Sequence, residues 1–402
     1  GGYPAILNKL LGDGYEVLNL GVSGATLMKH GDFSYWDLKK IEAAEAFGPD
    51  IVTLMLGTND AKPQNYHKYP AEFLDDYKAM IAALRGLSSK PKVYVMIPVP
   101  VFGNGGFSID GSVLRKEITP LIVKAAEETK TGTIDLYTLF AESPAMFPDN
   151  VHPSGDGAKG SAKRSYQALT GAPVFDADND IFLDSITVKI TALGDAVIHY
   201  TVDGSEPTAQ SPVYKEPLKL TATATVKAIT TGEKTSPASQ ATFSKVVPRD
   251  PVKPGKTEAG LAVDYYENND ANALEDIAKL KPVRSGVTND FFLAAQQDRK
   301  EFWGYRWTGY VTVPADGIYT FHTSSDDGSR LWLGNTLVVD NGGQHGGIER
   351  IGKIALKAGT HPITVTFYNS IAGWSLRVEW EGPGLAKQAM PAAVLSHEVE
   401  AK

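Results

Sequence analysis

The amino-acid sequence predicts a multidomain fold class, an α/β three-layer domain followed by two all-β sandwich domains, on three observations. The chain has 402 residues, against the roughly 100–200 that one core usually organises, so two or three domains are expected. Up to about residue 171, apolar strand-like runs alternate with segments of helical period, the pattern of βαβ units over a parallel sheet. From about residue 174 the texture changes to short strands of period two separated by turn residues. With 42% hydrophobic and 21% charged residues the chain has material for packed cores in all three regions, which excludes a disordered or fibrous protein.

Within residues 1–171, strands are read at 16–20, 51–56, 93–97 and 133–136, mostly continuous apolar runs suited to a sheet covered on both faces. The clearest helix is read over 71–87, where Phe73, Tyr77, Met80, Ile81 and Leu84 recur at three-to-four spacing and share a face. A second helix is read over 36–47. Residues 174–247 form a small β-sandwich in which Ile186, Val188 and Ile190 alternate with Thr and Lys. Residues 248–258 are a linker: the stretch 246–256 holds Pro248, Pro251 and Pro254 among scattered charges, a composition expected to stay extended and add nothing to a core. Residues 259–396 are a second β-sandwich, dense in aromatics such as Tyr265, Trp303, Trp307, Tyr319, Trp374 and Trp380, most of them expected as core or strand-pair residues.

Composition also excludes partners. A net charge of −8 from 39 basic and 47 acidic residues, without a long Lys/Arg run, lacks the footprint that a phosphate backbone demands, so no nucleic acid is expected. No stretch approaches the roughly 18 uninterrupted apolar residues that span a bilayer, so no membrane insertion is expected. The absence of cysteine removes disulfides, thiolate catalysis and thiolate-bound metal together.

The strongest chemical constellation is Asp149-Asn150-Val151-His152-Pro153, after the last strand of the first domain. A carboxylate three residues before a histidine on a tight loop is placed to accept from Nδ1, leaving Nε2 to take a proton from a hydroxyl. Alone, the string also reads as a turn cap beside a loop histidine. Gly57-Thr58-Asn59-Asp60 stands at the carboxyl end of strand 51–56, where open α/β sheets place their ligand crevice, and an Asn there can donate to an oxyanion. A turn capped by Thr58, Asn59 or Asp60 is the alternative. The run from Asn19 to Thr26 also follows a strand, and Gly24 in it lets a backbone N–H approach a developing negative charge.

These three loops, in the order Gly24, Asn59, Asp149 and His152, resemble the sequence blocks of the SGNH (GDSL-like) hydrolases over nearly all of residues 1–170. The resemblance implies a flavodoxin-like strand order, His152 as general base, Asp149 as its orienting acid, and Gly24 N–H with the Asn59 amide as oxyanion-hole donors. It also implies a nucleophilic serine in a G-D-S motif on the first strand, upstream of the helix that begins near Tyr3-Pro4-Ala5. No G-D-S occurs in this sequence. Asp203-Gly204-Ser205 and Asp327-Gly328-Ser329 lie in turn contexts of the β domains, and Ser23 occupies a loop-shaping position, so none is assigned. The nucleophile is expected upstream of Gly1, together with a strand that lies inside the sheet. Without that strand its two neighbours are expected to lack a partner, and the sequence is read as a fragment inactive by itself. The run Gly103-Asn104-Gly105-Gly106-Phe107 is read as a flexible loop over the crevice, with direct substrate contact as the alternative.

Residues 198–208 and 223–229 resemble the immunoglobulin-like module at the C-terminus of chitobiases and related hexosaminidases, which implies a spacer without catalytic residues. Residues 310–319, 325–332 and 356–380 resemble the protective-antigen-type β-sandwich that accompanies many glycosidases and adhesins. In it, Asp326 and Asp327 pair two carboxylates in a loop, hard oxygen ligands suited to calcium, though a turn whose acids cap nearby N–H groups is the competing reading. No cofactor is expected for catalysis.

Together these features lead to the expectation of a carbohydrate O-acetylesterase acting on an acetylated glycan or polysaccharide, secreted, periplasmic or displayed at a bacterial-type cell surface. Two alternatives stand beside it: a non-catalytic glycan-binding assembly, and a lysophospholipase or thioesterase. The choice of substrate class rests on the company of the domains, an association and not a reading of the site.

Overall fold

Three of the four expected strands of the first domain pair in parallel in the computed structural model, which describes residues 2–103, 105–291, 299–371 and 373–399. β1 (Ile51–Leu54), β2 (Lys92–Ile97) and β3 (Gly132–Asp135) lie in that order, with Val52 opposite Val93 and Val95 opposite Thr133. Successive side chains of β2 serve opposite faces. Val93 and Val95 pack with Phe73, Tyr77, Met80 and Ile81 of one helix (α3, Phe73–Arg85) and Ile122 of another (α4, Thr119–Glu128). Tyr94 and Met96 turn to the other face, where Tyr3 of α1 (Tyr3–Leu11) and Leu169 of α5 (Gly155–Thr170) cover them. The result is the expected three-layer α/β arrangement.

Two local expectations are corrected. Residues 16–20 form no strand, and Leu18 is 46% exposed. A strand exists only through a partner for its N–H and C=O groups, and here the unpaired edge of β1 stands across a cavity of about 550 Å³ lined by residues 14–21 on one side and 50–56 on the other. The helix read over 36–47 is split into a single turn at Tyr35–Asp37 and α2 (Lys40–Phe47). Lys39 between them has φ 53, a left-handed conformation that cannot continue a right-handed helix. The helix read over 71–87 is α3, two residues shorter at each end.

The second domain packs a three-stranded sheet (Val174–Asp176, Ile186–Thr191, Leu218–Leu220) on a four-stranded one (Ile181–Phe182, Ser239–Lys245, Ala224–Thr231, Val197–Thr201). Ile186, Val188 and Ile190 point inward onto Phe182, Val226 and Phe243, as their alternation predicts. Helix α5 docks on this domain through Gln167, which donates to the Thr191 carbonyl at 3.0 Å, and Thr230, whose hydroxyl donates to the Gly171 carbonyl at 2.8 Å. The third domain is built around Trp303, Trp307, Tyr319, Phe321, Phe367 and Trp380, all buried. Trp374 is 40% exposed and its ring meets that of Trp303 at a centroid distance of 5.7 Å.

The linker, expected to add nothing to a core, is instead strapped to the third domain. The prolines leave the N–H groups of the residues between them free to donate, and strand edges supply acceptors: Arg249 N–H reaches the Ala355 carbonyl at 2.9 Å and Val252 N–H the Thr360 carbonyl at 2.8 Å. The Arg249 guanidinium also donates to the Leu333 carbonyl and the Thr336 hydroxyl. Arg249→Ala removes the side-chain bonds and keeps the backbone ones, at a cost of about 1–3 kcal/mol for a charged donor set. Limited proteolysis within residues 246–256 is the measurement, and faster cleavage of the variant is the expected outcome. Among the described residues, no helix is long and apolar enough to cross a membrane.

Candidate active site

All the first-domain candidates stand on loops that leave the carboxyl ends of the parallel strands or flank them, where side chains converge without interrupting the sheet. The loop after β3 carries Asp149 and His152. Asn150 adopts φ 67, and this left-handed residue turns the chain so that one carboxylate faces three donors. Asp149 Oδ1 accepts from Val151 N–H at 3.0 Å and His152 N–H at 2.6 Å, while Oδ2 lies 2.7 Å from His152 Nδ1. These hydrogen bonds hold the Asp149 carboxyl down at about 2, the His152 backbone bond contributing most. Val151 is buried and anchors the turn, and Ser154 caps α5 immediately afterwards. The side chain of His152 is 60% exposed, and among the described residues no group hydrogen-bonds its Nε2.

The loop after β1 carries Asn59 and Asp60. Gly57 is required at its start, with φ 119 and a Cβ position only 3.0 Å from Ile122 Cδ1. The Asn59 amide donates to the Ala25 carbonyl at 3.2 Å, which seats it against the loop of Gly24. Gly24 has φ 82, and among the described residues no group accepts from its N–H. The same two loops are joined by Asp60, whose buried carboxylate accepts from Leu27 N–H at 2.9 Å and Met28 N–H at 2.8 Å. Burial pushes the Asp60 carboxyl up to about 6 against the opposing pull of these N–H groups. Read from sequence only as one of three capping options, Asp60 is instead the pin of the Gly24 loop. The G-T-N-D string contains it, but its partners lie 32 and 33 residues away.

The loop after β2 closes the rim. Phe102 N–H donates to the Asn150 carbonyl at 2.9 Å, and Asp110 N–H donates to the Ala61 carbonyl at 3.2 Å. It therefore touches both the His152 loop and the Asn59 loop. Within the Gly103 to Phe107 run, Gly106 and Phe107 lie against the His152 loop, Gly105 lies against Val101 and Ile109 of its own loop, and Asn104 lies outside the described residues. The structure thus brings Asp149 to His152 and Asn59 to the Gly24 loop, with the β2 loop bridging the two pairs.

In the third domain, Asp327 is buried and both its oxygens already accept from the protein: Oδ1 from His345 N–H at 3.1 Å, Oδ2 from Ser370 N–H at 2.8 Å and Ser370 Oγ–H at 2.7 Å. Asp326 ends the strand Gly317–Asp326 close to Gly373. Among the described residues, no group of three or more His, Cys, Asp or Glu side chains is arranged to hold a metal ion.

A three-layer α/β domain with an aspartate-bonded histidine on its carboxyl-end loops is the arrangement that the resemblance to the SGNH hydrolases implies. Family comparison agrees: residues 1–159 match the GDSL-like Lipase/Acylhydrolase family, residues 178–243 the Chitobiase/beta-hexosaminidase C-terminal domain, and residues 257–393 the PA14 domain. The chain carries these three domains in that order. Among similar proteins, an acetylxylan esterase of Xylanibacter ruminicola is 36% identical over 180 residues, 40% of this chain and 37% of that protein. A beta-hexosaminidase of Porphyromonas gingivalis is 27% identical over 221 residues, 51% of this chain and 27% of that protein. The anti-sigma-I factor RsgI3 of Acetivibrio thermocellus is 30% identical over 144 residues, 35% of this chain and 21% of that protein. The chain thus spans well under half the length of each of these relatives.

Proposed function

We propose that the first domain is the acid–base and oxyanion part of a carbohydrate O-acetylesterase whose serine is supplied by a strand preceding Gly1. The observation that carries this reading is the Asp149–His152 pair, bonded at 2.7 Å through Nδ1 with Nε2 open to a hydroxyl. The cavity between residues 14–21 and β1 supports the upstream strand. It is floored by Met80 and Leu84 from one helical layer and Leu7 and Leu169 from the other, so it runs through the sheet layer itself, beside an unpaired strand edge.

In this mechanism the serine Oγ attacks the acetyl carbonyl carbon as His152 Nε2 takes the hydroxyl proton. The tetrahedral oxyanion is held by Gly24 N–H and the Asn59 amide. Collapse expels the sugar hydroxyl, which receives the proton from His152, and leaves an acetyl-serine. Water then attacks with His152 as base, releasing acetate and restoring the serine. The similar acetylxylan esterase supports acetylated glycan as substrate, together with the match of residues 1–159 to the GDSL-like Lipase/Acylhydrolase family.

The test compares the chain beginning at Gly1 with the protein extended upstream. Release of acetate from acetylated xylan by the extended form alone is the expected result. Equal rates for both forms would discard the upstream serine, and preference for a long acyl ester over acetate would move the reading to a lysophospholipase or thioesterase. A second reading, a non-catalytic glycan-binding assembly, is favoured by the exposed Trp374, whose chain neighbour Ser375 pairs with Asp326 in the third domain. The donors there fit calcium in part: among the described residues no group donates to the Asp326 carboxylate, whereas Asp327 is already taken up by protein N–H and hydroxyl groups.

A further inference from the structure

Phe107 is held against preference twice over. Its side chain is 64% exposed, the most exposed aromatic of the first domain's described residues. Its backbone has φ 55 and that of Ser108 has φ 62. Ile109 N–H donates to the Gly106 carbonyl at 2.9 Å, so these two residues are the centre of a four-residue turn. Positive φ at both central positions is the preserve of Asn and Gly, and a bulky aromatic there persists only where surrounding contacts impose it.

Gly105 N–H donates to the Phe102 carbonyl at 2.9 Å, Phe102 is bonded to Asn150, and Ile109 is buried. A Cβ on Gly106 would stand 3.1 Å from the Asp149 carbonyl oxygen and 3.3 Å from Val151 Cγ2, so the turn is pressed directly on the Asp149–His152 loop. The Phe107 ring meets the His152 ring at a centroid distance of 5.2 Å and an interplanar angle of 74°. Core packing does not explain this ring, because most of it faces solvent at the mouth of the site.

We propose that Phe107 is a specificity-determining residue whose ring covers the C–H face of the sugar that bears the acetyl group. The inference rests on the esterase reading above and names the part of the substrate that the site recognises. An acetyl group is too small to cover a phenyl ring, whereas a pyranose offers an apolar face of matching extent. The openness of the site, with the His152 side chain 60% exposed, suits a bulky polar alcohol better than a buried acyl chain.

The experiment uses the upstream-extended protein, with Phe107→Ala and Phe107→Trp, on an acetylated xylo-oligosaccharide and on ethyl acetate, which has no ring to stack. The expected result is that Phe107→Ala lowers the ratio of kcat/KM for the oligosaccharide over ethyl acetate about tenfold, through KM, and that Phe107→Trp restores it. An unchanged ratio overturns the assignment, including the case where both substrates lose kcat equally because Phe107 only steers His152. Hydrolysis of neither substrate by the unsubstituted protein overturns the esterase reading and this assignment with it.

Discussion

Replacing Asp149 with asparagine in the upstream-extended protein is expected to lower kcat by about four orders of magnitude with little change in KM. An Asn carbonyl in place of Oδ1 can still accept from Val151 and His152 N–H, so the turn survives. The amide nitrogen in place of Oδ2, however, presents a donor to His152 Nδ1 and favours the tautomer that carries its proton on Nε2, where a base must be bare. Loss of base function with intact binding is therefore the signature, read by steady-state kinetics on an acetate ester. A fall in kcat of less than about tenfold, or a change confined to KM, would remove Asp149 from the proposed role. The sign of the pH dependence sharpens the test. The folded carboxyl is depressed to about 2, so whatever stability the pair contributes is present above the ordinary carboxylate range and fades only as pH falls through about 2. Asp149 is thus ionised throughout any practical assay, and no activity limb above about pH 4 is expected to report it.

What was legible in the sequence is what depends on near neighbours along the chain. The i, i+3 spacing of Asp149 and His152 puts both partners on one turn, and the apolar runs of β1 and β2 carry their own period. Residues 16–20 read as a strand because their composition is that of one, yet a strand is a property of a pair, and the neighbouring edge of β1 lies beyond the cavity. The linker read as an idle spacer because its acceptors at Leu333, Ala355 and Thr360 lie 84 or more residues away. Lys39 broke a helix that its residue type does not forbid. Phe107 looked like the end of a glycine-rich loop, and only the folded turn shows it against His152. Asp60 was hidden for the same reason, since nothing in G-T-N-D announces that Leu27 and Met28 need an acceptor.

Asp60 also carries the largest expected effect on stability. Asp60→Ala strips the acceptor from two buried N–H groups in a loop whose residues Ala25, Thr26, Leu27 and Met28 are all 0–1% exposed, so water cannot replace it without opening the core. At about 1–3 kcal/mol for each orphaned donor, a loss of roughly 2–6 kcal/mol is expected, measured as a lower urea midpoint at unchanged slope. The loop of Gly24 should loosen with it, so the extended protein should lose kcat even though Asp60 touches no substrate. The pH dependence runs opposite to that of Asp149. Burial raises the folded carboxyl to about 6 from an ordinary value of 3.8, so its contribution is fully present below about pH 4 and is lost as pH rises through about 6. That interval corresponds to about 3 kcal/mol, an order-of-magnitude figure. Asp60→Asn, which keeps the shape and abolishes the proton equilibrium, should flatten the fall in unfolding free energy between pH 4 and 6. A variant that retains the full slope would show that another group titrates there, and would remove Asp60 from this role.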